Sequence, residues 1–103
     1  MISVSIFYPN TKESLFNLEY YVTQHIPMVE MLLKPMGMEE VLIDEAIGTP
    51  MPEVPAPYSV IAHLVFKNYE EMEMCMGHYG EELMKDVPNF TNVKPLVQIS
   101  RRL

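Results

Sequence analysis

Hydrophobic positions change period several times along this chain of 103 residues, and each change marks a new element. Residues 2–8 alternate Ile2, Val4, Ile6 and Tyr8 with Ser3, Ser5 and Phe7, the two-residue period of a strand, and Pro9 and Asn10 close it. From Asn17 the period lengthens. Leu18, Tyr21, Val22, His25, Ile26, Val29 and Leu33 recur at helical spacing as one apolar stripe. Asn17 is the expected N-cap, and Glu19 adds negative charge in the first turn, where the helix dipole favours it. Pro35 and Gly37 stop the helix after Lys34. Pro27 interrupts it earlier: proline has no amide hydrogen and crowds the preceding turn. A break or kink is expected there, with the Thr23 carbonyl freed close to His25.

Residues 38–47 return to alternation, with Val41, Ile43 and Glu45 set against Leu42, Asp44 and Ala46, and their acids point to an edge strand. The following GTPMPEVPAP carries four prolines and predicts a loop, either a plain surface loop or a lid or partner contact. Residues 58–66 place Tyr58, Val60, Ala62, Leu64 and Phe66 on one face of a strand and Ser59, Ile61, His63 and Val65 on the other. Both faces are apolar enough to be buried. Asn68 with Glu71 reads as a capping box, and Met72, Cys75, Met76, Tyr79 and Leu83 make the inward stripe of a second helix ending near Asp86. Residues 87–92 form a loop. A last strand sets Val97 and Ile99 against Leu96, Gln98 and Ser100.

The order is βαββαβ, which predicts an α+β fold: a single ferredoxin-like domain over residues 1–103, with a four-stranded antiparallel sheet and two helices on one face. The helices should cover Ile2, Val4, Ile6, Val60, Ala62, Leu64, Phe66, Val97 and Ile99. The opposite face carries Ser3, Ser5, Phe7, Ile61, His63, Val65, Leu96, Gln98 and Ser100, and is too apolar to stay wet. This predicts a homodimer packed sheet against sheet, with Phe7, Ile61, His63 and Val65 in the interface. The same parity sends His25 to the helix–sheet interior and His63 to the dimer side. The two imidazoles should not share a site.

Composition then narrows the function. Fourteen acidic residues against seven basic give a net charge of −7, and without a Lys or Arg cluster no nucleic acid partner is expected. Apolar runs fall short of a membrane span. The lone Cys75 cannot form an internal disulfide, and the first residues lack signal-peptide regions, so a cytoplasmic protein is expected. No two histidines stand at helical i, i+4 spacing, and the four glycines are too scattered for a dinucleotide fingerprint. Neither a metal nor a cofactor is expected.

His25 carries the main candidate chemistry. An imidazole titrates near neutrality, and burial lowers its pKa, which suits a general acid or base; the alternative is a core histidine bonded to a freed carbonyl. Tyr8, Tyr20, Tyr21, Tyr58, Tyr79 and Phe90 either line a flat apolar cavity or pack the core. His78 sits on the helix flank beside Tyr79. Methionines such as Met72, Met74 and Met76 suit an adaptable pocket wall or ordinary core, and Cys75, with no nearby cation, reads as an inert thiol.

The runs FYPN, FNLEYYVTQHIP, PYSVIAHLVF and HYGEELMKDVPNFTNVKPLVQIS resemble the EthD family over nearly the whole chain. The resemblance implies a dimeric α+β barrel, and it singles out Tyr20, Tyr21, His25, Pro27, His63, His78, Pro88, Asn89, Phe90 and Thr91. The methionine-rich second helix and the acidic Glu70, Glu71 and Glu73 depart from the family pattern. Together these readings predict a small-molecule enzyme, a cofactor-independent oxidoreductase or monooxygenase-like protein. His25 would move a proton, and Tyr8, Tyr21, Tyr79, Phe90, Asn89 and His78 would contact a largely apolar organic ligand. A ligand-binding accessory protein and an isomerase are the alternatives.

Overall fold

Strand β1 (Ile2–Pro9) occupies the inside of a four-stranded sheet in a computed structural model that describes Met1–Leu103. The helical stretch that follows is built from α1 (Leu18–Tyr20), a π turn (Tyr21–His25), α2 (Ile26–Leu33) and a 3₁₀ turn (Lys34–Met36). Strands β2 (Met38–Glu45) and β3 (Tyr58–Phe66), helix α3 (Tyr69–Asp86), a 3₁₀ turn (Val87–Asn89) and β4 (Leu96–Arg101) complete the chain. The sheet order is β2-β3-β1-β4 and every pairing is antiparallel, the α+β ferredoxin-like arrangement expected from the alternation pattern. No helix is long and apolar enough to cross a membrane.

Both predicted caps are present. The Asn17 side chain accepts the Tyr20 amide at 3.0 Å, and Asn68 accepts that of Glu71 at 2.9 Å, each satisfying an amide that the first helical turn leaves unpaired. Gly37, at φ 120°, turns the chain into β2 in a backbone region that side chains disfavour.

One core joins Val4, Leu64 and Phe66 of the sheet to Val29 and Leu33 of α2 and Met72, Cys75 and Leu83 of α3. A second gathers Tyr8, Val60 and Ala62 under Tyr21, Ile26, Val87 and Phe90. The predicted parity therefore holds through the sheet centre. On the other face, Ser5 Oγ and His63 Nδ1 lie 2.8 Å apart, and Asp44 Oδ2 stands 4.0 Å from His63 Nε2.

Four local expectations need correction. The first helix does not break at Pro27; it widens into the π turn before it, where the Ile26 amide donates to the Tyr21 carbonyl five residues back. That extra residue re-phases the stripe and turns Val22 outward, 45% exposed. Tyr58 leaves the Val60 face: a register shift between Tyr8 and Pro9 pairs Pro9 with Tyr58, whose ring lies 5.1 Å from Phe7. Val97 and Ile99 are about half exposed, because β4 is an edge strand and the helices do not reach fully over it. The second strand stops at Glu45, and Ile47 beyond it is fully exposed.

Candidate functional site

The π turn sets the position of His25. It stacks the imidazole nearly parallel to Tyr21, with centroids 5.3 Å apart, and buries it against Phe90 at 4.7 Å. The opposite wall is held by backbone lacing between the loop before α1 and the loop after α3. Asn17 N–H donates to the Phe90 carbonyl at 2.7 Å, Thr91 Oγ1 donates to the Leu15 carbonyl at 2.7 Å, and the Asn92 amide pairs with the backbone of Glu13 and Leu15. This lacing brings the end of α3 to the first helix.

Asp86, the last residue of α3, meets His25 there. Its Oδ2 lies 2.8 Å from His25 Nδ1, and its Oδ1 accepts the Tyr20 hydroxyl and the Asn89 side-chain amide, each at 2.8 Å. Burial works to raise the Asp86 carboxyl, but the hydrogen bonds from Asn89, His25 and Tyr20 outweigh it and hold the group below its ordinary value. An ionised carboxylate only accepts, so His25 Nδ1 carries the hydrogen and Nε2 keeps a lone pair. Burial lowers the His25 pKa, partly offset by the Asp86 bond and charge, so the imidazole is neutral at physiological pH. Nε2 has no hydrogen-bond partner in the protein and is not sealed off by it.

His25 lines a cavity of about 50 Å³ between the helices and the sheet. Val4, Ile6 and Leu64 form its floor, Ile26 and Val29 one wall, and Met76, Gly80 and Met84 of α3 the other, with Val97 of β4 at the rim. Tyr8 and Tyr21 supply the remaining polar groups. Burial pushes the Tyr8 phenol up to about 12, with a small opposing effect from Tyr21. It raises Tyr21 as well, reinforced by the charge of Tyr8 and by a hydrogen bond between the two hydroxyls, so both phenols stay protonated and the pair keeps one hydroxyl hydrogen to donate. No lysine or arginine lines the cavity.

The predicted site residues thus divide. His25, Tyr8 and Tyr21 share the cavity. Phe90 and Asn89 lie behind it, packing on His25 and holding Asp86, while His78 is exposed and Tyr79 stacks edge-on against it, both outside the cavity lining. His63 is on the other sheet face, as expected. No three His, Cys, Asp or Glu side chains converge as a metal-sized cluster. Asp86 is the residue that sequence reasoning passed over. One signal was available: an acid at a helix C-terminus opposes the dipole and calls for a compensating partner.

The EthD domain family matches residues 14–94, a span that contains His25, Asp86 and all of the laced residues but Glu13. The chain belongs to the EthD family. An EthD-like protein from Ralstonia eutropha JMP134 superposes with a TM-score of 0.89 at 25% identity, over 97% of this chain and 89% of its own. An EthD family protein of Bacillus halodurans C-125 gives 0.71 at 14% identity, covering 100% of this chain and 99% of its own. A Shewanella loihica PV-4 protein provisionally assigned as a monooxygenase gives 0.66 at 9% identity, covering 99% and 93%. The last two likenesses concern the fold. A search of curated proteins finds no match.

Proposed function

We propose that this EthD protein is an enzyme in which His25 Nε2 removes a proton from a neutral, largely apolar organic molecule held between helices and sheet. The observation that carries this reading is the Asp86 bond to Nδ1, which fixes the tautomer and leaves the Nε2 lone pair of this cavity-lining residue free. The lining favours a neutral ligand: it is almost wholly apolar and has no cation to pair with a carboxylate or phosphate. Tyr8 and Tyr21 are protonated and bonded to each other, a pair with one remaining hydroxyl hydrogen suited to an oxygen that gains charge as the proton leaves.

The resulting carbanion or enolate has two productive fates. Returned to another atom, the proton gives an isomer with no change in oxidation state. Addition of dioxygen instead forms a C–O bond and a hydroperoxide, and loss of water from it leaves a carbonyl: two C–H hydrogens and one oxygen atom depart as water, and the carbon is oxidised. The monooxygenase assignment of the Shewanella relative favours the second fate.

The reading includes a homodimer through the open sheet faces. Phe7, Ile61 and His63 are only partly covered there. Val65 is already 5% exposed in a single chain and has little surface left to contribute.

The test is deuterium exchange into cyclohexanone, a neutral carbon acid, followed by NMR in heavy water. The protein should accelerate α-exchange over buffer, and His25→Ala should lose the acceleration while binding persists. Equal exchange by the two proteins removes His25 from the chemistry.

A further inference from the structure

Helix α3 contains two glycines, Gly77 and Gly80, that no backbone demand explains. Neither has a positive φ. A Cβ at Gly77 would meet nothing within 4 Å, and one at Gly80 would meet only the end of the flexible Met76 side chain, at 3.9 Å, an ordinary contact. Alanine would fit both positions and would strengthen the helix, because glycine is among the poorest helix formers. Gly77 is exposed and faces away from the cavity, whereas Gly80 lines it.

The cavity itself is small. Its free volume of about 50 Å³ is well below the roughly 300 Å³ at which ligand pockets usually begin, so any organic molecule larger than a few heavy atoms must displace part of the wall. Floor and inner wall are poor candidates for movement: Val4, Val29 and Leu64 are almost completely buried in the close-packed core. The wall on α3 differs. Met76, Gly80 and Met84 follow one another at four-residue steps along one face of the helix. Met84 is 49% exposed and Val97, across the rim, 53%. Methionine has three rotatable bonds and yields readily, and between the two methionines Gly80 leaves room for a Cβ, which would meet only the end of Met76 at 3.9 Å.

We infer that Gly80 is the specificity-determining residue of the cavity: the gap it leaves between Met76 and Met84 is the aperture through which a neutral apolar ligand enters, and its width limits ligand size. This rests on the cavity being the ligand site, as proposed above, but not on His25 acting as a base. Helix stability is given up at Gly80 to keep that passage open. Gly77, three residues earlier, gives up the same stability without touching the cavity and serves as an internal control.

The experiment measures binding of cyclopentanone, cyclohexanone, cycloheptanone and cyclooctanone by protein NMR titration to the wild type, Gly80→Ala, Gly80→Leu and Gly77→Ala. Both alanine variants should melt about 4 °C or more above the wild type, which shows that they fold. Gly77→Ala should bind all four ketones as the wild type does. Gly80→Ala should bind cyclooctanone about tenfold more weakly with cyclopentanone little changed, and Gly80→Leu should exclude the whole series. Equal binding by wild type and Gly80→Ala across the series, or no binding of any ketone by the wild type, overturns the aperture. A size-dependent loss in Gly80→Ala together with unchanged exchange in His25→Ala would keep the aperture and discard the base.

Discussion

Asp86 Oδ2 receives the Nδ1 hydrogen of His25 at 2.8 Å across 61 residues of sequence, and this one bond decides which imidazole nitrogen carries the hydrogen. Asp86→Asn tests it. An amide can donate as well as accept, so it no longer forces the hydrogen onto Nδ1. Long-range nitrogen–proton NMR of the imidazole should show the Nδ1–H tautomer in the wild type and a mixture or reversal in Asp86→Asn. Ketone exchange should fall about a hundredfold or more, with binding retained.

The lowered pKa of His25 also makes a stability prediction whose sign is fixed. Below about 6.5 the unfolded chain protonates this imidazole while the folded chain does not, so the unfolded state binds more protons and stability falls as pH drops from that value toward the folded pKa. One such group gives a slope of at most about 1.4 kcal/mol per pH unit. Asp86, whose folded pKa is also lowered, adds a second loss only as pH falls below its ordinary 3.8. Urea denaturation from pH 7.5 down to pH 5 should show the first slope in the wild type, and His25→Gln should flatten it.

Thr91 ties the two loops together beneath the site. It is buried at 6% exposure, and its hydroxyl donates to the Leu15 carbonyl. Thr91→Val keeps the shape and leaves that carbonyl unpaired, which should cost about 1–3 kcal/mol by urea denaturation. Because the lacing also sets the distance between Asp86 and His25, the imidazole tautomer signal should broaden in the same variant.

The open sheet face is tested by light scattering. The wild type should run as a dimer at micromolar concentration. Ile61→Asp, which puts a charge beside His63 and Asp44 at the centre of the proposed interface, should run as a monomer with an unchanged circular dichroism spectrum. A monomeric wild type would refute the sheet-to-sheet dimer.

Much of this arrangement is written in local pattern. The alternation in β1 and β3 assigns Val4, Val60 and Leu64 to the core and Ser5 and His63 to the other face, and the asparagine caps mark both helix starts. What local pattern cannot carry is anything that changes phase or spans distance. The π turn adds one residue to the helix and expels Val22, and the register shift at Pro9 moves Tyr58 across the sheet. The place of β4 at the edge, which exposes Val97, depends on strand order rather than on composition. Asp86 was hidden for the second reason: a carboxylate shows its partner only when the end of α3 is brought back to the first helix.

The lacing of residues 13–17 to 90–92 has a further consequence, for when the site comes into existence. His25 lies in the first βα half of the chain, while Asp86, Asn89 and Phe90 lie in the second, and contacts so far apart in sequence must overcome the entropy of closing a long loop before they contribute. Until residues 86–90 have come back to the first helix, the imidazole is free to take either tautomer, with no phenylalanine behind it. The oriented base is thus a property of the finished topology, absent until the two ends of the site meet.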